Sequence, residues 1–98
     1  MGFKIVFTKP AIEDLSNLVA FISRDNPTAG ERFGYELAEK AQNLAEYPFI
    51  GRVVPEFKIE SLREVIHRPY RIIYRVREEQ KLIEILRVWH AARGIPKV

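Results

Sequence analysis

The strongest constraint on the fold is an alternation of side chains in the second half of the chain. Between positions 70 and 77, one parity is apolar or aromatic and the other is mostly arginine: Tyr70, Ile72, Tyr74 and Val76 against Arg71, Ile73, Arg75 and Arg77. Because successive side chains of a strand point to opposite faces of a sheet, this period of two predicts a strand with one apolar and one guanidinium-rich face. Two neighbouring strands are predicted over 62–67 and 82–89, and the latter is apolar at both parities, as is typical of a central strand.

The first half of the chain predicts one short strand and two helices. Phe3, Ile5 and Phe7 alternate along the strand. Thr8 is suited to cap a helix that ends near residue 24, and Asn26 followed by a proline is suited to begin the next one. Apolar residues recur at helical spacing in both segments: Ile12, Leu15, Val19 and Ile22 in the first, widened by Leu18 and Phe21, and Phe33, Leu37, Ala41 and Leu44 in the second.

The resulting order β-α-α-β-β-β predicts an α+β fold. We expect a two-helix hairpin packed on one face of a mostly antiparallel sheet, in a single domain over residues 1–98. The order of the strands within the sheet stays open. The segment 47–52 contains a proline and a glycine and is predicted to be a loop, with Tyr47, Phe49 and Ile50 packed on the domain.

Composition excludes several classes of function. The chain has no cysteine, which excludes disulfides and thiolate metal sites, and its two histidines are too few to predict a metal centre or another cofactor. No apolar run approaches the roughly 20 residues that span a bilayer, and the first residues lack the apolar stretch of a signal peptide. The cytoplasm is therefore the predicted location, without a membrane partner.

Charge is distributed unevenly along the chain. Residues 1–49 carry five basic and seven acidic residues, whereas residues 50–98 carry eleven basic and six acidic ones. Such a basic region indicates nucleic acid, phosphate or an acidic protein as the partner, or else a solvated strand face. The candidates for binding a target or a phosphate are Arg63, Arg68, Arg71, Arg75, Arg77 and Arg87.

Several segments of this chain resemble a known superfamily. They are the helix break at Asn26-Pro27, the loop Glu46-Tyr47-Pro48-Phe49-Ile50-Gly51-Arg52, the strand start Leu62-Arg63-Glu64, the strand Tyr70-Arg71-Ile72-Ile73-Tyr74-Arg75-Val76, and the closing segment 84–93 with its His90-x-x-Arg93 ending. In this order and within this length, they are similar to the ParE/RelE toxins of type II toxin–antitoxin systems. The resemblance covers nearly the whole chain.

The resemblance implies a helix-hairpin-on-sheet fold and a toxin that arrests growth until a cognate antitoxin binds it. Antitoxins of this superfamily fold on contact, so a hetero-oligomer of toxin and antitoxin is expected. The candidates for the antitoxin interface are the large aromatic residues Tyr70, Tyr74 and Trp89. Packing within the domain is the alternative role for all three.

Two mechanisms follow from the resemblance. ParE-like members inhibit DNA gyrase without chemistry of their own, and RelE-like members cleave messenger RNA on the ribosome. Cleavage requires a base for the 2′-hydroxyl, a cation for the phosphorane and an acid for the leaving oxygen. If the sheet brings them together, His67, Arg71, His90 and Arg93 are the catalytic candidates. The alternative role for the two histidines is structural, as hydrogen-bonded residues at strand ends.

Two departures from the nuclease pattern favour gyrase inhibition. No tyrosine follows Tyr74, and the basic residues are mostly arginines on strands and not lysines on a helix. The predicted helices, of about 17 and 20 residues, are also long for a compact nuclease. A passive nucleic-acid-binding module is a third hypothesis; it predicts salt-sensitive binding without growth arrest.

Overall fold

The structure is a computed structural model, and it describes residues 2–98. The predicted elements are present, and one additional strand of two residues precedes the three predicted strands of the second half of the chain. In chain order they are β1 (Lys4–Phe7), α1 (Lys9–Asp25), α2 (Pro27–Gln42), β2 (Arg52–Val53), β3 (Leu62–His67), β4 (Tyr70–Arg77) and β5 (Leu82–His90), with 3-10 turns at Asn43–Ala45 and Ala91–Arg93. The predicted α+β fold, with two helices on a mostly antiparallel sheet, is confirmed.

The strands form a mixed sheet in the order β1-β5-β4-β3-β2. The β2–β3, β3–β4 and β4–β5 pairs are antiparallel, and β1 runs parallel to β5. The first and last strands are therefore neighbours. Because β1 pairs with Leu82–Ile85 alone, the second half of β5 is left with an edge that β1 does not cover.

A β-bulge in β5 changes which side chains share a face. Ile73 lies opposite Arg87 and Tyr74 lies opposite Ile85, so Leu86 is the extra residue. Leu86 and Arg87 therefore both point to the face away from the helices, although they are consecutive. Strict alternation would have placed them on opposite faces.

Both helices begin at the residues that the sequence predicts. The Thr8 hydroxyl accepts a hydrogen bond from the Ala11 N–H at 3.4 Å, and the Asn26 side chain accepts one from the Ala29 N–H at 3.1 Å. The Thr8 hydroxyl also donates to the Ile85 carbonyl at 2.9 Å, which ties the start of α1 to β5. These caps satisfy N–H groups that have no partner within the helix.

The main core lies between the helices and the sheet. Phe3, Ile5 and Phe7 pack against it from β1, and the fully buried Ile83 and Ile85 contribute from β5. The buried residues of the helices include Leu18, Leu37 and Ala41, and Leu44 joins them from the 3-10 turn after α2.

The predicted apolar stripe of α1 is wrong at two positions. Ile12 is 55% exposed and Phe21 is 67% exposed, whereas Ala11 is fully buried. The reason is that α1 packs on both α2 and β5, and the buried face follows Ala11, Leu15 and Leu18. Ile12 and Phe21 fall outside both contacts.

The face of the sheet away from the helices has a small core of its own. It consists of Val54, Leu62, Ile73 and Trp89, with Phe57 and Leu86 packed around it. Val54 and Phe57 come from the segment between β2 and β3, which folds over this face. The predicted guanidinium-rich face is therefore partly covered and includes a buried apolar cluster.

The prediction that Tyr47, Phe49 and Ile50 of the loop pack on the domain is wrong for Tyr47 and Ile50, which are 64% and 68% exposed. Phe49 is 38% exposed and is partly covered by the Arg63 guanidinium, 4.9 Å from its ring centre. The loop is held by a polar contact instead: the buried Gly51 N–H donates to the Tyr74 hydroxyl at 3.0 Å.

No helix in the described part of the chain, residues 2–98, has the length and apolar character needed to cross a membrane.

Gly51 packs too closely for a side chain, which gives a first prediction. A Cβ at this position would collide with the Glu64 carbonyl and lie 2.6 Å from the Tyr74 hydroxyl. We expect Gly51→Ala to lower the free energy of unfolding by about 1–3 kcal/mol, measured by urea denaturation followed by circular dichroism. Gly34→Ala is the control, because its Cβ would meet one side-chain atom, a Val19 methyl group at 3.0 Å, and no backbone atom, inside a helix that gains propensity. Equal stability of wild type and Gly51→Ala would contradict the close packing.

Candidate functional site

The two histidines lie on the helix-facing side of the sheet, on either side of Tyr70. His67 and His90 are the direct cross-strand neighbours of Tyr70 on β3 and β5. Phe33 of α2 completes a row of rings: its centroid lies 5.0 Å from that of His67 and 5.7 Å from that of Tyr70, and the Tyr70 and His90 centroids are 5.1 Å apart. Burial raises the pKa of the Tyr70 phenol.

Each histidine already has a polar contact. The His67 Nε2 atom lies 3.3 Å from a Glu36 carboxylate oxygen. The His90 Nδ1 atom accepts a hydrogen bond from the Ala92 N–H at 3.0 Å. With Nδ1 as the acceptor, the ring proton of neutral His90 is on Nε2.

Arg71 lies on the opposite face of the sheet, in a network of four alternating charges. Its Nε donates to Glu64 at 2.6 Å, and its two terminal nitrogens donate to Glu56 at 2.9 and 2.7 Å. The other Glu64 oxygen accepts from the Arg52 Nε at 2.6 Å. We call Arg52, Glu64, Arg71 and Glu56 the ion network.

The ion network is enclosed at its centre. The Glu64 side chain is fully buried, and that of Arg71 is 9% exposed. The bidentate bond to Glu56 raises the pKa of Arg71, with Glu64 adding to the effect, and the same bond lowers the pKa of Glu56. Arg71 is therefore a fixed cation, with each of its three nitrogens already donating to a glutamate inside the protein.

The structure brings together part of the predicted nuclease set. His67 and His90 share a face of the sheet, because each lies directly opposite Tyr70 on one of the two strands that flank β4. Arg71 follows Tyr70 in the same strand and so points to the other face. Arg93 lies in the 3-10 turn after β5, and its guanidinium stacks 4.0 Å from the Trp89 ring centre.

Three of the other arginines are also paired inside the protein. Arg63 donates to Glu60 at 2.5 Å and to the Gly51 carbonyl at 3.1 Å. Arg77 donates to Glu84 at 2.6 Å. The third pair is the bidentate contact of Arg87 with Asp14, at 2.7 and 2.8 Å, which raises the pKa of Arg87.

Three of the candidate arginines form no salt bridge within residues 2–98: Arg68, Arg75 and Arg93. Arg68 is exposed at the turn between β3 and β4, and Arg75 is partly buried, with its Nε enclosed and unbonded. The pairing of Arg71 and Arg87 could not be predicted from neighbouring residues, because Glu56 and Asp14 come from a loop and a helix at a distance in the chain. Only their packing on the sheet brings them to the arginines.

Two of the three aromatic candidates for the antitoxin interface lie inside the protein. Tyr74 has no exposed surface, and Trp89 is 2% exposed. Burial raises the pKa of the Tyr74 hydroxyl, which holds the loop through Gly51. Tyr70 is half-buried and remains at the surface between the histidines.

An open groove runs beside the ion network at the β3–β4 turn. Its walls combine guanidinium groups and one carboxylate with apolar side chains: Arg52, Pro55, Glu56, Ile66, Arg68, Pro69, Tyr70, Arg71 and Ala91. The Arg52 side chain is 62% exposed, and Ile66 is 41% exposed. A mixture of apolar surface and arginine is typical of protein-binding surfaces.

Comparison with known proteins identifies the class. The chain shares the fold of toxins in toxin–antitoxin complexes: RelBE2 from Mycobacterium tuberculosis (TM-score 0.69, 25% identity, 92% of this chain and 99% of that chain) and the chromosomal ParDE system of Pseudomonas aeruginosa (TM-score 0.72, 21% identity, 90% and 95%). Toxin RelE2 of Caulobacter vibrioides is 37% identical over 92% of this chain and 97% of its own length.

The fold and these relatives define a toxin of the ParE/RelE superfamily. Within it, residues 5–95 match the family model described as the ParE toxin of the type II toxin–antitoxin system parDE. The chain belongs to this family, and the predicted resemblance is confirmed.

The lowered pKa of Glu56 gives a prediction for acid stability. A carboxyl whose pKa is lower in the folded chain than the usual 4.5 stabilises the fold above that pH, and the contribution is lost as pH falls through the folded pKa. We expect Glu56→Gln to cost about 1–2 kcal/mol of unfolding free energy near neutral pH, and progressively less below pH ~4.5. Urea denaturation across this pH range measures the difference. Glu79→Gln, at an exposed turn, is the matched control, and a pH-independent cost of Glu56→Gln would refute the linkage.

Proposed function

We propose that this toxin arrests growth by binding and inhibiting DNA gyrase, without cleaving RNA itself. The observation that carries the proposal is the position of Arg71. It lies across the sheet from His67 and His90, and two glutamates already accept its hydrogen bonds. A phosphorane needs a cation beside the acid and the base, with donors free to follow the developing charge.

The state of the histidines supports the same mechanism. His90 uses Nδ1 to order the turn after β5, and His67 faces Glu36. Both rings also pack in the row with Phe33 and Tyr70, His67 tilted against Phe33 and His90 edge-to-face with Tyr70. These contacts suit a structural role at the helix–sheet boundary.

A binding function requires an accessible surface, and the groove at the β3–β4 turn supplies one. Arg68 is exposed there without a carboxylate partner among residues 2–98, next to Ile66 and Pro69. We infer that gyrase contacts this groove. The partner that neutralises the toxin is a cognate antitoxin, consistent with the toxin–antitoxin complexes that share the fold.

Pulse-labelling of cells after induction tests the mechanism. We expect thymidine incorporation to fall before methionine incorporation, and the double variant His67→Ala/His90→Ala to arrest growth as wild type does, provided that its circular dichroism spectrum is unchanged. An early collapse of methionine incorporation that the double variant abolishes would establish the RelE-like ribonuclease instead. If neither thymidine nor methionine incorporation falls, the proposal that this protein is an active toxin is refuted.

A charge reversal tests the groove. We expect Arg68→Glu to weaken inhibition of purified gyrase in a DNA supercoiling assay by about tenfold or more, because an interfacial guanidinium is replaced by a repelling carboxylate. Arg24→Glu, the same change at the exposed end of α1, should leave inhibition unchanged. Equal effects of the two substitutions would show that net charge, and not the groove, governs inhibition.

A further inference from the structure

Two neighbouring positions at the free edge of β5 bring α1 close to an arginine, Arg87 in the strand and Arg93 in the turn after it. At the first, Asp14 of α1 binds Arg87 through both carboxylate oxygens and also accepts the Val88 N–H at 3.0 Å. One helical carboxylate thus neutralises a guanidinium and caps a backbone donor of the strand. β1 does not reach this part of β5, so Asp14 takes the place of a neighbouring strand.

The second position lies two residues further along β5. Because the N–H groups of alternate strand residues point to the same edge, the His90 N–H points to the same free edge of β5 as the Val88 N–H. Arg93 takes the place of Arg87: both guanidinium groups stack on the Trp89 ring, at 4.8 Å for Arg87 and 4.0 Å for Arg93. The Trp89 ring is itself fixed, because it is buried and its Nε1 donates to the Gly94 carbonyl at 3.2 Å.

The second position differs from the first in one respect, which is that no carboxylate bonds to its arginine. No salt bridge among residues 2–98 includes Arg93, and the residue of α1 one turn after Asp14 is Asn17. A recess of about 210 Å³ lies here, lined by Asp14, Asn17, Leu18, Tyr70, Val88, His90 and Arg93. We call it the β5-edge recess. It is smaller than the roughly 300–1,000 Å³ of small-molecule sites, so it suits the end of one side chain. The Asp14 carboxylate in this lining is already bonded to Arg87 and to the Val88 N–H.

We propose that the β5-edge recess binds a carboxylate side chain of a protein partner, which completes at Arg93 the arrangement that Asp14 makes at Arg87. The Arg93 guanidinium is the cation, and the Asn17 amide, the His90 ring N–H and the Tyr70 hydroxyl are further donors. Trp89 holds Arg93 in place before binding, which reduces the entropy lost when the pair forms.

The charge of the surroundings selects a carboxylate over a nucleic acid strand. Helix α1 carries three acidic and two basic residues, and so does α2, so each helix has a net charge of −1. A phosphate backbone running past the recess along α1 would be repelled by the net negative charge of that helix, whereas a single carboxylate would face Arg93 at close range. An Asp or Glu of the antitoxin is the ligand we assign, so the identity of the ligand rests on the toxin assignment, while the recess itself does not.

Acetate titration of the full chain, followed by nuclear magnetic resonance, tests the recess directly. We expect acetate, at constant ionic strength set with chloride, to shift the Arg93 side-chain and His90 resonances with saturation. Arg93→Gln should weaken acetate binding by at least tenfold and Arg93→Lys by less. Shifts that do not saturate, or that persist in Arg93→Gln, would overturn the proposal. Phosphate binding more tightly than acetate would overturn the choice of a carboxylate ligand.

A substitution in α1 tests the same arrangement from the other side. Asn17→Asp supplies the missing acid within the chain, and we expect it to abolish the acetate response and to raise the melting temperature. Ser16→Asp adds the same charge one position earlier, on an exposed position outside the recess, and should do neither. Weaker antitoxin binding by Asn17→Asp, with Ser16→Asp unchanged, would extend the assignment to the antitoxin. If acetate binds and antitoxin binding is unaffected, the recess stands and the antitoxin assignment fails.

Discussion

A fully buried carboxylate, Glu64, organises the side of the sheet that faces away from the helices. A charge without solvent is costly unless it is paired, and Glu64 accepts a hydrogen bond at 2.6 Å from each of two arginines. Those arginines belong to β2 and β4, so the requirement to neutralise Glu64 joins three strands. Through Arg71 it also fixes Glu56, in the segment that covers Trp89 and Ile73.

This constraint changes what the arginines can do. A basic strand face would ordinarily indicate phosphate binding, but most of these guanidinium groups serve the fold. Arg71 holds a loop, Arg87 holds α1, and Arg63 supports the loop at Gly51. Among the candidate arginines, those that are exposed and have no salt bridge within residues 2–98 lie at the rim, at Arg68 and Arg93. A toxin of this kind offers separate points of attachment and not a continuous basic track.

The edges of the sheet are covered by side chains where strands are missing. Asp14 binds the Val88 N–H on the β5 edge, and on the opposite side the Lys40 ammonium donates to the Ile66 carbonyl at 2.9 Å. Covering an edge in this way prevents uncontrolled strand pairing and leaves defined gaps at which a partner can bind.

The sequence by itself determined the elements and the family. Periodicity placed β3, β4 and β5, Thr8 and Asn26 marked the helix starts, and the ordered motifs predicted the ParE/RelE fold. These features depend on residues that are close in the chain or on the order of motifs along it, so they can be read from the sequence. The same reasoning identified His67 and His90 as candidates, but it had no means of placing Arg71 on the other face of the assembled site.

Only the tertiary structure decided how the charges pair and which residues meet. Strand order brought β1 next to β5, the bulge at Leu86 shifted the register, and packing delivered Glu56 and Asp14 to their arginines. Each of these contacts joins residues far apart in the chain, and no local pattern specifies them. An arginine on a strand looks the same in sequence whether its guanidinium meets a glutamate of its own chain or one of a partner, because its charge is local and its neighbours are set by the fold.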